Sequence, residues 1–356
     1  RGSLRIALAD SVCSTFLPEL LPIPDAIKFL CDGFLFLLLL KLFSQRFTKI
    51  DNYSMPFVVI VGLFFFITLV GYLFNYQSVF YYLWGLRNNI RMFVAFFAFA
   101  YLADWEDAKG WIKALDVLFV INFAVVILQY FSGYGQDYIG GIFGTSKGCN
   151  GSLLIFLCIV FAKTILSFMR GEEKMSKCIF VSVASLLVST LSELKMFFIL
   201  FILILFMASF VTAHSIKKTL FFAFGAVLVV LFSTLLTVLY KDFTDFLSFD
   251  SLIKALTDTG YATDEDIGRF TALPVISQRF LPGFFRKLFG LGLGNCDSSS
   301  LSMFNTPFFE SHQTVHYSYF SYAFLFLETG FVGLALYASF FVASFFVSRK
   351  LKKLEM

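Results

Sequence analysis

Residues 55–74 read MPFVVIVGLFFFITLVGYLF, an apolar run without a single charge. An α-helix rises 1.5 Å per residue, so about 20 such residues cross the roughly 30 Å hydrocarbon core of a bilayer. Helix is the form open to them there, because lipid offers no partner to a free backbone N–H or C=O. Working outward, further apolar blocks fall at 4–21, 26–43, 79–102, 114–132, 152–169, 178–192, 195–213, 219–239 and 316–348, which makes ten expected spans. The block at 4–21 is the weakest, being flanked by proline. The composition agrees: of 356 residues, 58% are hydrophobic and 15% charged, with 52 phenylalanines and a mean hydropathy of +0.81. A soluble domain carries about 25% charged residues to solvate its surface. The chain is therefore read as an all-α polytopic membrane protein of about ten transmembrane helices. It opens Arg1-Gly2-Ser3 rather than on Met, which reads as a fragment boundary or an added scar rather than a signal peptide.

The basic residues fix the orientation, since cytoplasmic loops collect Lys and Arg. Lys41, Arg46 and Lys49 form one group, and Lys109 with Lys113 a second. Arg170, Lys174 and Lys177 follow, then Lys217 and Lys218, and finally Arg349, Lys350, Lys352 and Lys353. These groups alternate with short, mostly neutral connections, so the two longer loops, 133–151 and 240–315, are expected outside. The layout is then a bundle over 1–239, one large extracytoplasmic loop with short helices over 240–315, and a final helix with a basic tail over 316–356. Within the last block, Glu328-Thr329-Gly330 is expected to break the helix. The net charge of +4 is small and comes in short clusters between apolar blocks, which argues against a nucleic-acid surface. The six cysteines show neither CxxC nor metal-ligand spacing. Cys13, Cys31, Cys158 and Cys178 fall in or beside apolar blocks, whereas Cys149 and Cys296 lie in the external loops, where a disulfide between them is chemically allowed.

Ionisable groups inside a span mark functional sites by default, because each costs about 3 kcal/mol at the centre unless it meets water or a partner. Arg87 and Arg91, in the segment Phe80–Phe93, share one helical face at i, i+4 spacing. Two guanidinium groups there suit a diphosphate, which arginine holds through paired hydrogen bonds. The bland alternative is a helix that starts after Arg87, or pairing with internal acids. Glu193 and Lys195, in the tight turn Leu191–Met196, either neutralise each other or face a cavity with the arginines. The stretch Gly140–Gly151 ends in Lys147 and Asn150 and runs into a helix start, where glycines and the helix dipole both favour an anion. It lacks the strand and the Lys-Ser/Thr pair of a P-loop, and a flexible turn is the other reading. The GLGLGN stretch, residues 290–295, follows no strand of a βαβ unit and reads as a loop turn. His312 and His316 close the large loop at i, i+4 spacing. Without HExxH or a third ligand, they fit a proton-transfer or substrate-binding role better than a metal site. His214 reads as a solvated interfacial residue. No cofactor is called for.

Taken together, several of these segments are similar to one known pattern. They are Trp84-Gly85-Leu86-Arg87 with Arg91, the glycine-rich stretch ending Asn150-Gly151, and the Glu193-Leu194-Lys195 turn. Gly268-Arg269-Phe270, Gly290–Asn295, His316 and the helix Tyr322–Leu334 complete the set. In this layout the chain resembles the O-antigen polymerase and ligase superfamily, the Wzy-type integral membrane glycosyltransferases, with a GT-C-like fold. The resemblance implies an undecaprenyl-diphosphate-linked oligosaccharide as substrate, at a site on the outer face of a bacterial plasma membrane. It implies membrane lipid as surroundings, with a flippase and a chain-length regulator as partner proteins. In such proteins a histidine at the end of the external loop helps the acceptor attack, and external arginines hold the diphosphate. His316 stands in the first place, with His312 as its rival, since Tyr317 follows where many members have Asn. Arg87, Arg91 and Arg269 stand in the second, with Lys147, Asn150, Glu193, Lys195 and Arg279 as further contacts. Two rivals remain: a ligase acting on another acceptor, and a lipid-linked glycan flippase or transporter. A transporter usually shows internal repeats and polar residues through both membrane halves, and this chain shows neither to inspection.

Overall fold

The computed structural model describes residues 30–44, 53–102, 104–146, 148–211, 216–239, 267, 271–297 and 305–354, and among these the regular structure is entirely helical. The helices are α1 (Leu30–Ser44), α2 (Met55–Phe74), α3 (Val79–Leu102), α4 (Trp105–Phe131), α5 (Asn150–Arg170) and α6 (Met175–Leu191). They continue with α7 (Lys195–Val211), α8 (Ile216–Leu239), α9 (Ala272–Arg279), α10 (Phe284–Phe289), α11 (Pro307–His312) and α12 (Ser321–Leu354). Among the described residues, five stretches are long and apolar enough to cross a membrane: Met55–Phe74, Glu106–Phe131, Asn150–Arg170, Thr219–Leu239 and Ser321–Lys350. Helices α6 and α7 are apolar but have only 17 residues each, about 25 Å of rise. The architecture is that of a helical membrane protein. The expected span at 4–21 and about half of the loop at 240–315 lie outside the described residues.

Local chemistry explains where some helices begin and end. The apolar run predicts a start near 114, yet α4 begins at Trp105. Asp104 caps it: its carboxylate accepts from the Asp107 N–H at 2.8 Å, and the Asp107 carboxylate accepts in return from the Asp104 N–H at 3.5 Å. Lys109 and Lys113 therefore ride on the first turns of the helix, with Lys109 paired to Glu106 at 2.9 Å. Helix α5 ends on Gly171 in the left-handed conformation at φ 79°, as helix ends often do.

The chain divides into two compact units. The first holds α4–α8. Its core is a cluster around Phe161, Phe197, Phe201, Leu157 and Val188, and the Phe161 and Phe201 rings stack at 4.1 Å. Within it α5 packs on α6 and α7, and α6 on α8. The turn Gly141–Phe143 lies against α4, held by two of its buried side chains. The Asn122 Oδ1 accepts from Ile142 N at 3.0 Å, and the Gln129 amide both accepts from Gly141 N at 2.8 Å and donates to Gly141 O at 3.0 Å.

The second unit holds α2, nearly all of α3, and α9–α12. Helix α2 packs along α12, and an aromatic cluster of Phe57, Phe64, Phe93, Phe96 and Phe340 fills one of its cores. A second core gathers Ile276, Leu281, Cys296, Tyr317, Phe326 and Leu327. As the sequence suggests, α12 is broken at Glu328-Thr329-Gly330: Gly330 takes φ 66°, ψ −168° inside an otherwise helical run. Cys149 and Cys296 are both buried thiols.

Candidate functional site

The second unit builds a frame around the break in α12. Gly290, Gly292 and Gly294 take φ values of 73°, 99° and 77°. Three left-handed positions in alternation are open to glycine at little cost and to few other residues. The alternation turns Leu291 and Leu293 inward, where both are buried. The loop then meets the carbonyls beside the break: Leu291 N donates to Leu327 O at 2.9 Å and Gly292 N to Glu328 O at 3.0 Å. The Glu328 carboxylate, 1% exposed, accepts from Cys296 N at 3.2 Å and from the Gly294 N–H. The Tyr317 hydroxyl donates to Cys296 O at 2.6 Å, and the Gln77 amide to Leu293 O at 2.6 Å. Asn75 donates to Gly290 O at 3.1 Å. The stretch that looks faintly like a dinucleotide motif is thus a pinned loop. Burial, aided by the Glu328 and Asp297 carboxylates, pushes the Cys296 thiol well above its usual range.

Helix α3 lies against this loop at Gly85, which faces the backbone of Gly294 so closely that a side chain could not fit. On the same helix Arg87 and Arg91 are both half-buried, which places Arg87 on a helix rather than in a loop. They and the intervening Asn88 and Asn89 interrupt the apolar run, and α3 is not among the five long apolar stretches. The Arg87 guanidinium carbon lies 4.3 Å from the Trp84 ring centroid, and its Nη1 donates to Asn88 Oδ1 at 3.1 Å. Asn88 in turn donates to Asp297 Oδ2 at 2.6 Å. A guanidinium and a carboxylate are therefore linked through a single amide, at the end of the pinned loop.

The two histidines differ. His312 Nδ1 lies 3.0 Å from Phe308 O and 2.8 Å from Ser311 Oγ, and its ring stacks on Phe308 at 4.4 Å and meets the edge of Phe280 at 5.2 Å. It behaves as a packing group. His316 is half-exposed, stacks on Tyr319 at 4.6 Å and holds a left-handed backbone at φ 53°, a conformation that costs a non-glycine residue about 1 kcal/mol or more. Arg279 is exposed at the end of α9, 5.5 Å from the Phe280 ring. Arg269 and Lys147 lie outside the described residues.

The remaining sequence candidates belong to the first unit. The amides of the Gly140–Gly151 stretch mostly meet internal acceptors: Gly140 N meets Gly144 O at 3.1 Å, Gly148 N meets Asp137 O at 3.4 Å, and Gly151 N meets Gly148 O at 3.1 Å. Asn150 opens α5 with its amide 3.4 Å from the Asp137 carboxylate. Glu193 sits at φ 55° in the turn after α6 and pairs with Lys195 at 3.1 Å, the local neutralisation that the sequence allows. Lys195 begins α7.

The sequence reading passed over two groups. One is Asn88, Asp297, Glu328 and Tyr317 in the second unit. Only Asp297 and Glu328 carry charge, and neither pairing is visible before the loop is folded. The other is a charged chain in the first unit, where Asp116 of α4 meets Lys163 of α5 and Lys177 of α6, the latter at 2.8 Å. Lys177 also pairs with Glu173 at 2.5 Å. Asp116 and Lys163 both lie inside apolar runs, the criterion that singles out Arg87. Among the described residues no three His, Cys, Asp or Glu side chains group to hold a metal. Comparison with protein-family models, with curated proteins and with solved structures finds no match.

Proposed function

We propose that this chain is a ten-span membrane glycosyltransferase of the Wzy type. It joins undecaprenyl-diphosphate-linked oligosaccharide repeats at the outer face of a bacterial plasma membrane. The observation that carries the reading is the pair Arg87 and Arg91 on one face of α3, half-buried within a helical membrane protein, with Arg87 linked through Asn88 to Asp297. Arginine holds phosphate oxygens through paired hydrogen bonds, so two guanidinium groups on one helical face suit a diphosphate. In the reaction, a sugar hydroxyl of one lipid-linked repeat attacks the anomeric carbon of another. The bond to the diphosphate breaks, the diphosphate leaves with the electron pair, and the arginines stabilise its charge. The resemblance puts His316 in the proton acceptor's place, with His312 as its rival; His312 has its Nδ1 at Phe308 O and its ring packed on Phe308 and Phe280. The energy comes from the diphosphate link, so neither ATP nor a nucleotide sugar is required.

The test is elongation. Purified protein in nanodiscs is incubated with a defined undecaprenyl-diphosphate oligosaccharide, without nucleotide sugar or ATP. A ladder of longer lipid-linked chains from wild type, lost in Arg87→Ala, is the expected result. The absence of a ladder with the matching repeat refutes polymerisation. A ligase or flippase is then tested with a foreign acceptor and a transbilayer assay.

A further inference from the structure

We infer that Asp297 is the carboxylate that binds the acceptor hydroxyl and takes its proton during glycosyl transfer. The inference rests on the glycosyltransferase reading above and moves the proton-acceptor role from His316, where the resemblance puts it, to Asp297.

Three observations carry it. Asp297 is presented by a loop anchored on buried side chains of the second unit. Glu328 holds the N–H groups of Gly294 and Cys296, Tyr317 holds Cys296 O at 2.6 Å, and Gln77 holds Leu293 O at 2.6 Å. All three side chains are buried, Glu328 and Tyr317 to 1% exposure. A buried frame of this kind fixes a reacting group in place before substrate arrives, the condition for efficient proton transfer. Asp297 itself is half-exposed at the end of the frame, with its carbonyl held by Thr306 Oγ1 at 3.3 Å. Finally, the Asn88 amide orients its carboxylate at 2.6 Å and touches the Arg87 guanidinium at 3.1 Å on its other side.

This places a proton acceptor one amide away from an anion-holding group. Glycosyl transfer from a diphosphate needs both, since the attacking hydroxyl becomes more acidic as it bonds to the anomeric carbon, while the leaving diphosphate oxygen gains negative charge. The new C–O bond forms from the acceptor hydroxyl, the C–O bond to the diphosphate breaks, and the hydroxyl proton passes to Asp297. The diphosphate takes the electron pair beside Arg87. The ionisable groups that feel the Asp297 charge include Glu328 on α12 and Cys296 and Tyr317 of the same core, and Arg87 on α3 lies one amide away. His316 then serves the acceptor as a binding group.

The elongation assay above, run across pH in nanodiscs, separates the two proton acceptors. Asp297→Asn is expected to lower kcat about 10²–10⁴-fold, the usual contribution of a general base, with little change in KM. It should also abolish the fall in kcat on the acid side, whereas His316→Ala should keep it. Asp297→Glu should recover part of the rate. If D297N is not recovered folded, Asn88→Ala carries the test: Asn88 is exposed, and its loss should lower kcat about tenfold by releasing the carboxylate. Wild-type kcat in D297N or N88A, or an acid limb lost only in H316A, overturns the assignment while leaving the glycosyltransferase reading intact. No elongation by wild type overturns both.

Discussion

Replacing Gly85 by alanine should destabilise the protein, although the same change stabilises an ordinary helix. Alanine is favoured over glycine in a helix interior by about 1 kcal/mol. A Cβ on Gly85, however, would lie 2.5 Å from the Gly294 Cα and 2.7 Å from the Leu293 carbonyl carbon. Those atoms are backbone, in a loop pinned by Glu328, Tyr317 and Gln77, so no side chain can rotate away. Overpacking typically costs about 1–3 kcal/mol where neighbours can yield, and here the upper part of that range applies. Subtracting the propensity gain leaves a net loss of roughly 1–2 kcal/mol. Gly62 supplies the control, since it lies within α2 with no atom inside 4 Å of its Cβ position. Reversible unfolding in mixed micelles should show Gly62→Ala equal to or more stable than wild type and Gly85→Ala less stable. If both variants match wild type, the close approach of α3 to the glycine loop does not exist in the protein.

Three further outcomes are expected. Asp116→Leu removes an ion-pair partner of Lys163 and one of the two partners of Lys177, and should cost about 1–3 kcal/mol, discounted for partial exposure, by the same unfolding measurement. Lys163→Met should cost less, because Asp116 keeps Lys177, and the double variant should cost less than the sum. Tyr317→Phe leaves the Cys296 carbonyl buried and unmet, a loss of about 1–3 kcal/mol in unfolding free energy. The Cys296 thiol, held protonated by burial, should resist iodoacetamide at pH 8 in the folded protein and react in denaturant, as read by mass spectrometry.

The parts of the fold legible in the sequence are those carried by long, uniform signals. The run at 55–74 needs only its length and lack of charge, and it appears as α2 with the same bounds. The break at Glu328-Thr329-Gly330 was legible because an acid and a glycine interrupt an apolar block. The start of α4 was missed because apolar content begins near 114, while the helix begins at the Asp104 cap, a short polar signal outweighed by hydropathy. In the candidate site, the arginine pair was legible from i, i+4 spacing inside an apolar block. Asp297 was not, because its significance depends on Asn88, Glu328 and Tyr317, and the bond from Asn88 crosses 209 positions of chain. The glycines of 290–295 suggested a close approach to something. That this something is the break in α12 becomes visible only in three dimensions.

The joint between the glycine loop and α12 interlocks from both sides. A side chain at Gly290 would enter the backbone of Glu328, and one at Gly330 would enter the backbone of Leu288. Each strand of the joint is thus the mould of the other, like a dovetail cut in wood. Synthesis runs from the amino end, so the loop is made before the notch that receives it. The joint closes only once the final helix has been made, and the frame around Asp297 is among the last features of the second unit to take its shape.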